Sequence, residues 1–597
     1  MAKAEEILAG RYTLFSQPQA VELPLPPDWR RNQLSDQVVA SNGHWSELGD
    51  FAFGDIKGVW ELSRFGWAYT LARAYAATAD NRFAERFWQL FEDWCVHNRP
   101  NAGPNWMCGQ ESTFRLMAVV FAVDVMAGAP ASTPERRRTF AVFVLVTGRR
   151  VEGNIDYALS QSNNHGVSEC IGLITASALL PTADESARWE KRGLRELRRQ
   201  LDELVYPDGS FSQHSAIYHR VLLHDLLWCR VILQRTGKEV PTWLDEAGRR
   251  AVDFIDALMT PETGRLPLYG PNDGANVLPL ADAHYLDFRP TVQAGYAVFH
   301  GRRRLPAGPW DEMARWLVAP MSAPVGGAAA ATAPVLDTSR GEAGQRPATV
   351  QAQHFPDAGC LLWWSGQTRL FFRCPTRFKH RPSQADLLHV DLEWRGQPIA
   401  IDAGTFSYNT DGAFKGSLKA AVVHNTVTFD GGEPMQKVGR FLYLPWPKGS
   451  AAWREEGTVF EASHDGWKKK QIEHRRQVRS LAPSALESFE ISDLISAPGR
   501  HTARLHWLLA DLPHTFEPAR QRLVLQTKMG PLCVSWEGVS AQASLVRADP
   551  KSDRGWWSPY YAQVEPALSL AIEFEFSEKA VVKTLFQPSN PLNPEAN

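Results

Sequence analysis

The sequence predicts a multidomain α+β protein in which a helical N-terminal half precedes an antiparallel β-rich C-terminal half. From about residue 60 to about residue 260, apolar residues recur near the 3.6-residue period of an amphipathic helix. Beyond residue 350 the pattern changes to short runs of β-branched and aromatic residues separated by turn signals. A chain of 597 residues has room for several domains.

The helical half reads as a series of amphipathic segments with short breaks. "WELSRFGWAYTLARAYAAT" illustrates the pattern, with Leu62, Phe65 and Tyr69 on one face. Short breaks between consecutive helices imply antiparallel pairs. Many such pairs in series must either close into a toroid or stack as a solenoid.

A segment rich in Ala, Pro and Gly marks the boundary between the halves. Residues 319–350 are poor in aromatics and predict a surface linker between a helical domain, 1–318, and a β domain, 351–597. Runs such as "CLLWWSG", "TRLFFRCP" and "LSLAIEFEF" predict a layered antiparallel β-sandwich.

Composition excludes several classes of protein. The formal net charge of -2 gives no basic field for nucleic acid. The seven cysteines are scattered without a CxxC, which argues against a disulfide framework or a cysteine zinc site. We find no apolar run long enough to predict a membrane span. The first residues show no secretory signal, which predicts a cytoplasmic protein, or a periplasmic or secreted one if a signal has been removed.

Aromatic content is the one unusual compositional feature. The chain has 22 Trp, 29 Phe and 13 Tyr. Indole rings stack against sugar rings, but they also build protein cores. Composition alone therefore raises carbohydrate binding as one of two interpretations.

The first candidate site stretch is "PNWMCGQESTFR", which contains Trp106, Glu111 and Arg115. These polar residues occur where the helical pattern expects core. Glu111 and Arg115 are four residues apart, so an ordinary ion pair on a helix face explains them equally well.

The second stretch, "QSNNHGVSEC", places Asn163, Asn164 and His165 at the start of an apolar helix. Asn is a poor helix former because its side chain competes for backbone hydrogen bonds. His165 and Glu169 are four residues apart and share a helix face. Two amides and an imidazole at one position indicate a polar site.

The third stretch, "YPDGSFSQHSAIYHR", leads from a turn into a helix that carries Tyr218, His219 and Arg220. A phenol has a pKa of about 10, so Tyr218 needs nearby cations to work at neutral pH. The alternative is an ordinary surface tyrosine. A fourth stretch, "YGPNDGAN", is most simply a loop with Asx turns at Asn272 and Asp273.

The β half adds polar residues interleaved with strand residues. Asp386, His389, Asp402, Tyr408 and His424 occur in "ADLLHVDLEWRGQPIAIDAGTFSYN" and "HNTVTFDG". An aspartate and two histidines brought together by strand pairing can hold zinc, but no short-range ligand motif is present.

One reaction fits these residue types. In β-elimination on a uronate polysaccharide, a base removes the C5 proton and an acid protonates the leaving oxygen at C4. Neutral or cationic donors must take up the charge that develops on the carboxylate, as in an oxyanion hole. Asn164 and His165 suit that role, and Tyr218 suits proton transfer. No paired carboxylates typical of glycosidases are visible.

With these motifs in order, the sequence resembles the heparinase II/III-like family of polysaccharide lyases over nearly its whole length. The resemblance depends on "DIKGVWELSRF", "NNHGVSE" and "DGSFSQHSAIYHR" in the N-terminal half, and on "ADLLHVDLEWRGQPIAIDAGTFSYN" and "HNTVTFDG" in the C-terminal half. It implies an incomplete (α/α) toroid followed by an antiparallel β-sandwich, with the active cleft between them.

The resemblance also implies roles for individual residues. Asn164 and His165 match the pair that neutralises the carboxylate, Tyr218 matches the catalytic tyrosine, and Tyr408 or a neighbour matches a second tyrosine. Asp402 and His424 match positions that bind a structural metal in several members. We expect substrate contacts at the remaining polar positions, which are Trp106, Glu111, Arg115, Asn163, Glu169, His219, Arg220 and Gln384.

Two departures from the family pattern bear on function. Gln384 stands where many members have a metal-binding or catalytic histidine, and an amide is a poor zinc ligand. His380 or His389 can substitute only if the loop is arranged differently. Gln213 and His214 stand where a Glu-Gln pair is common.

The sequence therefore leads to a lyase acting on an acidic, uronate-containing polysaccharide, with no cofactor required and a structural zinc at Asp402 and His424 left open. A second hypothesis is a non-catalytic member that binds an acidic exopolysaccharide during synthesis or export. A third is a glycoside hydrolase, for which Glu111 and Asp273 are the only carboxylate pair we can nominate.

Overall fold

The computed structural model describes residues 1–40, 43–49, 53–318, 351–408, 414, 418–439, 441–481 and 487–589. The chain forms two compact units. The helical unit comprises Met1–Ser212, Ile217–Ala257 and the described part of Gly274–Ala343. The β unit comprises Gln213–Ala216, Leu258–Asp273 and the described residues from 351 onward.

The helical unit contains thirteen α-helices in the described residues. Two short strands pair near its N-terminus, and a π-helical turn, Tyr296–His300, follows the helix Arg289–Gly295. The α-helices are α1 (Ala2–Leu8), α2 (Lys57–Ser63), α3 (Gly66–Thr78), α4 (Asn81–His97), α5 (Gly109–Val125), α6 (Pro134–Glu152), α7 (Ile155–Ser160), α8 (Asn164–Leu179), α9 (Ser186–Leu204), α10 (Ala216–Arg235), α11 (Thr242–Leu258), α12 (Arg289–Gly295) and α13 (Asp311–Val318).

Helices α4 and α6 begin where the sequence supplies a capping side chain. Asp80 accepts a hydrogen bond from the backbone of Arg82 at the start of α4. Thr133 caps α6 and is followed by Pro134 at the first helical position, where a missing N–H costs nothing. The buried face of α4 consists of Phe83, Ala84, Phe87, Trp88, Leu90, Phe91 and Trp94.

The β unit is organised around one large antiparallel sheet of fifteen strands. Its order along the main path is β15-β16-β17-β21-β14-β7-β6-β5-β4-β3. The strands of the chain are β1 (Arg11–Thr13), β2 (Ala20–Glu22), β3 (Gln351–Phe355), β4 (Cys360–Ser365), β5 (Thr368–Arg373), β6 (Val390–Trp394), β7 (Gln397–Ala400), β8 (Val427–Phe429), β9 (Gln436–Gly439), β10 (Leu442–Leu444), β11 (Gly449–Arg454), β12 (Val459–His464), β13 (Glu473–Ser480), β14 (Phe489–Leu509), β15 (His514–Glu517), β16 (Arg522–Thr527), β17 (Gly530–Glu537), β18 (Gln542–Arg547), β19 (Trp556–Trp557), β20 (Glu565–Pro566) and β21 (Leu568–Pro588).

Two strands of 21 residues each, β14 and β21, form the spine of this sheet. They pair along almost their full length, with a register shift between Ala497 and Arg500. On one side of the shift β14 pairs with β13, and on the other side it pairs with β8. Such an irregularity lets strands turn from one layer of a sandwich into the other. The core of the unit is buried aromatic and aliphatic, with Trp394, Trp507 and Phe489 at its centre.

The predicted fold class is confirmed: a helical toroid-type half precedes an antiparallel β-sandwich. The predicted linker, 319–350, lies outside the described residues. None of the seven cysteines is in a disulfide, as the scattered spacing predicts. No described helix is both long enough and apolar enough to cross a membrane.

Candidate active site

The helical unit presents Asn164 and His165 at the first turn of α8. Asn163 precedes them as the N-cap, with extended backbone, and its side-chain Oδ1 accepts the backbone N–H of His165 at 2.9 Å. This cap explains the first unusual asparagine, because Asn favours N-cap positions. Asn164 is almost buried, whereas His165 remains partly exposed. The remaining N–H groups of the first turn give this end of the helix a partial positive charge.

Glu169 lies one turn further along α8 and packs against the start of α5. A Cβ added to Gly109 would lie 2.4 Å from the Glu169 Cδ, so only glycine fits there. The neighbouring Cys108 Sγ lies 3.7 Å from Nδ1 of His165. Burial, together with the charges of Glu111 and Glu169, raises the pKa of the Cys108 thiol to about 12. The thiol is therefore neutral beside the imidazole.

The Glu169 carboxyl is also neutral at ordinary pH. Burial raises its pKa to about 8, although the Arg150 guanidinium opposes the shift. Its Oε2 has no hydrogen-bond partner among the described residues. Arg150 donates to the backbone carbonyls of Trp106 and Met107 at 2.7 and 2.8 Å. Glu169 therefore adds no negative charge beside the first turn of α8 at neutral pH.

Behind this first turn, a buried polar chain ties α8 to α5 and α10. Gln110 Nε2 donates to the Ser168 hydroxyl at 3.0 Å, and that hydroxyl lies 2.5 Å from Asp225 Oδ2. Burial raises the pKa of Asp225 to about 8, and the Ser168 hydrogen bond only partly offsets it. Neutral groups thus hold the three helices in place without adding anionic charge.

Tyr218 lies in the first turn of α10 and is partly exposed, whereas the next two residues, His219 and Arg220, are buried. His219 is fully buried, Nε2 lies 2.8 Å from the Ala251 carbonyl, and burial lowers its pKa to about 4. Arg220 donates to the carbonyls of Tyr285 and Ala275. Each residue along a helix turns by about 100°, so the side chains of His219 and Arg220 point about 100° and about 200° away from that of Tyr218. This burial favours a structural role for His219 and Arg220 over the predicted contact with substrate.

Trp106 and Arg115 also lie in the core of the helical unit. The Trp106 indole N–H donates to the Asn98 carbonyl at 3.0 Å, and the side chain is only 1% exposed. Arg115 donates to the carbonyls of Ser63 and Asn105 at 2.6 and 2.9 Å. Because these donors are already bonded inside the unit, the structure favours a positioning role over direct substrate binding.

Glu111 pairs with a different arginine from the one its spacing suggests. Two nitrogens of Arg64 lie 2.6 Å from its two carboxylate oxygens. Burial opposes ionisation, but the Arg64 guanidinium prevails and holds the pKa of Glu111 below its ordinary value. A carboxylate kept ionised in this way cannot serve as the general acid of a glycoside hydrolase.

The β unit brings together His389, Asp402 and His424. One ligand atom from each lies within 4.8 Å of the others, and all three side chains are buried. Asp402 Oδ2 lies 3.1 Å from His424 Nδ1 and 3.8 Å from His389 Nε2. Burial opposes ionisation of both groups, yet their mutual attraction raises the pKa of His424 and lowers that of Asp402.

These residues fit a divalent metal. Two imidazoles and a carboxylate are the three-protein-ligand set that zinc takes in many sites. Asp402 Oδ2, His389 Nε2 and both ring nitrogens of His424 have no hydrogen-bond partner among the described residues. Buried polar atoms without partners are costly, and a bound cation would satisfy them. His389 was only one of several polar candidates in the sequence, and it completes the set that Asp402 and His424 begin.

Gln384 has a backbone role within the β unit. Its Oε1 accepts the Gly270 N–H at 3.1 Å, and its Nε2 donates to the Gly404 carbonyl at 3.4 Å. Asn272 makes similar contacts: its backbone N–H donates to the Thr405 hydroxyl, and its side-chain Nδ2 donates to the Pro559 carbonyl. The cluster of His389, Asp402 and His424 therefore forms without Gln384.

Tyr408, the second predicted tyrosine, is partly exposed in the β unit. The Lys419 ammonium lies 4.4 Å from the centre of its ring, and Phe441 and Tyr561 pack against it. Its backbone N–H donates to the Tyr561 hydroxyl at 2.9 Å. Tyr408 therefore has a buried cationic neighbour, Lys419. From the sequence, we expected such a cation beside Tyr218.

Sequence reasoning missed the residues that reach these sites from distant segments. Cys108 and Lys419 are separated in sequence from the rings that they contact, and Arg150 is separated from the Glu169 carboxyl whose pKa it influences. The only local signal was the placement of Cys108 beside Gln110 in a polar stretch. Neither spacing nor periodicity predicts such contacts, because they depend on tertiary packing.

Two family models match the chain in succession. Heparinase II/III N-terminus matches residues 40–280, and Heparinase II/III-like, C-terminal matches residues 347–585. Both ranges contain the motifs quoted above.

Individual relatives are distant. A heparin-sulfate lyase of Bacteroides thetaiotaomicron is 23% identical over 201 residues, which cover 33% of this chain and 28% of that protein. The corresponding enzyme of Pedobacter heparinus is 25% identical over 165 residues, covering 27% and 24%. The chain thus aligns with about a quarter of the length of these relatives.

Solved structures share the fold over much greater lengths. A crystal structure of heparinase III matches with a TM-score of 0.67 at 16% identity, covering 90% of this chain and 78% of that one. Heparan sulfate lyase from Pedobacter heparinus matches with a TM-score of 0.57 at 16% identity, covering 98% and 83%. The solved structures thus share the fold of this chain. The two successive family matches show that the chain belongs to the heparinase II/III-like family.

Proposed function

We propose that this protein is a polysaccharide lyase that cleaves a uronate-containing acidic glycan by β-elimination. The single observation that carries the proposal is the first turn of α8. There, the Asn164 amide and the His165 imidazole lie at a positive helix end, above a neutral Glu169 and near the cationic Arg150. The names of the relatives suggest heparan-like glycosaminoglycans as the first substrates to test.

This arrangement suits a carboxylate that gains charge during the reaction. A helix N-terminus attracts anions through its unpaired N–H groups. The amide and imidazole add donors that strengthen as the uronate carboxylate takes on aci-carboxylate character. A neutral Glu169 and a neutral Cys108 avoid repelling an anionic substrate.

The reaction balances without water. A base takes the proton from C5. The electron pair of the broken C5–H bond forms the C4–C5 double bond, and the C4–O bond breaks with its electrons leaving on oxygen. The leaving oxygen receives a proton from an acid, so the products are an unsaturated uronate end and a free hydroxyl. We assign charge neutralisation to Asn164 and His165 and proton transfer to Tyr218 and Tyr408.

We further propose that His389, Asp402 and His424 hold a structural zinc ion. Such an ion would cross-link three segments of the β unit and add to its folding free energy. The catalytic steps assigned above do not pass through it.

The test measures ultraviolet absorbance of the conjugated product on a panel of heparan sulfate, heparin, chondroitin sulfate, hyaluronan and alginate. We expect one class to give rising absorbance with the wild type. His165→Ala and Asn164→Ala should each lose about 10²–10³-fold in rate, as expected for removal of a donor that stabilises developing charge. His97→Ala, at an exposed histidine on α4, is the matched control and should keep full activity.

Each outcome separates the hypotheses. No absorbance with any polymer, combined with retained binding to one of them, would replace the lyase with the binding-only alternative. Chain cleavage without new absorbance would indicate a hydrolase, which the ionised Glu111 argues against.

A further inference from the structure

Three segments of the β unit each carry one member of the His389–Asp402–His424 cluster. His389 immediately precedes β6, Asp402 follows β7, and His424 precedes β8. The three segments are separate, so contacts between them must fix the relative positions of the three side chains. One buried side chain, Asn425, contacts all three.

Every polar atom of the Asn425 side chain is used for this purpose. Its Nδ2 donates to the Val390 carbonyl at 2.8 Å and to the Ile401 carbonyl at 3.1 Å. Its Oδ1 accepts the Leu508 N–H at 2.6 Å. Val390 adjoins His389, Ile401 adjoins Asp402, and Asn425 itself adjoins His424. The amide therefore joins the immediate chain neighbours of all three candidate ligands.

The backbone of Asn425 also orients one of the rings. Its N–H lies 3.0 Å from Nδ1 of His389, so that Nε2 is the ring atom facing Asp402. In the metal-free protein this contact favours the tautomer with its proton on Nε2. A metal at Nε2 would require this proton to move to Nδ1, with loss of the Asn425 N–H contact, because a neutral imidazole binds metal through its unprotonated nitrogen.

A buried arginine supports the same segments from behind. Arg476 Nη1 donates to the carbonyls of Leu388 and Asn425 at 2.7 and 2.5 Å. Its remaining nitrogens are held by the Asp493 carboxylate at 2.7 and 2.8 Å. Asn425 is fully buried, so no solvent molecule can replace its contacts.

We propose that Asn425 is the positioning residue of this cluster: its amide sets the spacing of His389, Asp402 and His424 and thereby sets their affinity for a metal ion. The inference rests on the metal site proposed above. Partners that orient ligands in this way typically change metal affinity by about 10–100-fold when they are removed.

The experiment measures zinc affinity by competition with a chelator and cobalt binding by visible absorption, in the purified full chain. Asn425→Asp keeps the shape but turns two donors into acceptors facing carbonyls, and Asn425→Ser removes the reach without adding a charge. We expect both to bind zinc about 10–100-fold more weakly and to change the cobalt spectrum. If buried charge stops Asn425→Asp from folding, Asn425→Ser carries the test.

Thr584→Val is the matched control. It removes an equally buried polar group in the same unit, whose hydroxyl accepts the Trp507 indole N–H at 3.2 Å. We expect it to lower the melting temperature of the metal-free protein but to keep wild-type zinc affinity. A merely structural Asn425 would behave like this control.

Wild-type zinc affinity and cobalt spectra in both Asn425 variants would overturn the inference. A wild type that binds no zinc would overturn the metal proposal and the inference together, while leaving the lyase proposal untouched. Weakened zinc binding in a protein that gives no unsaturated product would support the inference and refute only the lyase.

Discussion

Replacement of Glu169 by glutamine gives the sharpest test of the electrostatics of the α8 site. Burial holds the Glu169 pKa at about 8, against an ordinary value of 4.5. Between these values the folded chain keeps a proton that the unfolded chain has lost. The native carboxyl therefore costs stability increasingly as the pH rises from about 4.5 to about 8.

The size of the effect follows from the pH interval. Between about pH 5 and about pH 7, two pH units at about 1.36 kcal/mol each correspond to a loss of up to about 3 kcal/mol in the unfolding free energy. Glutamine is isosteric and does not titrate, so Glu169→Gln should escape this loss. As the pH rises from about 5 to about 7, the unfolding free energy of Glu169→Gln relative to that of the wild type should therefore increase by up to about 3 kcal/mol.

The assay is urea unfolding of both proteins at the two pH values, with Glu246→Gln, at an exposed glutamate on α11, as the control. A pH-independent difference between Glu169→Gln and the wild type would refute the reasoning, because it would mean that Glu169 is already ionised. The same ionisation bears on function. We expect wild-type lyase activity to fall as the pH rises through about 8 and Glu169→Gln to fall less.

Three further predictions address other parts of the two units. Gly109→Ala should destabilise the protein by about 1–3 kcal/mol in urea unfolding, because its Cβ would overlap the Glu169 carboxyl; an unchanged midpoint would contradict this packing. Tyr218→Phe should lower the turnover number about 10²–10⁴-fold, whereas Tyr157→Phe, at an exposed tyrosine, should not; full activity of the first would remove Tyr218 from the mechanism. Removal of metal with a strong chelator should lower the melting temperature of the wild type, and zinc should restore it; no change on either step would argue against the structural metal.

The two-part architecture could be predicted because each half repeats one local pattern many times. Helical periodicity before the Ala- and Pro-rich segment and alternating strands after it are local properties of the sequence. The start of α8 was equally visible, since Asn163 is a cap residue placed directly before an apolar run.

The details of the candidate sites could not be predicted because they depend on contacts between distant segments. The i,i+4 spacing suggested that Glu111 pairs with Arg115, yet the Glu111 carboxylate forms its ion pair with Arg64, at the C-terminal end of α2. Gln384 was predicted to contact substrate, and its two backbone partners, Gly270 and Gly404, could not be predicted. Strand pairing, which no short motif encodes, brought His389 to Asp402.

Cleavage in heavy-oxygen water tests the central claim most directly. The wild type would be incubated with its best glycan substrate in water labelled with the heavy isotope, and the product ends would be analysed by mass spectrometry. Elimination predicts ends that are dehydrated and carry no label, because no water enters the reaction. Incorporation of one labelled oxygen per cleaved bond would show hydrolysis and would contradict the account.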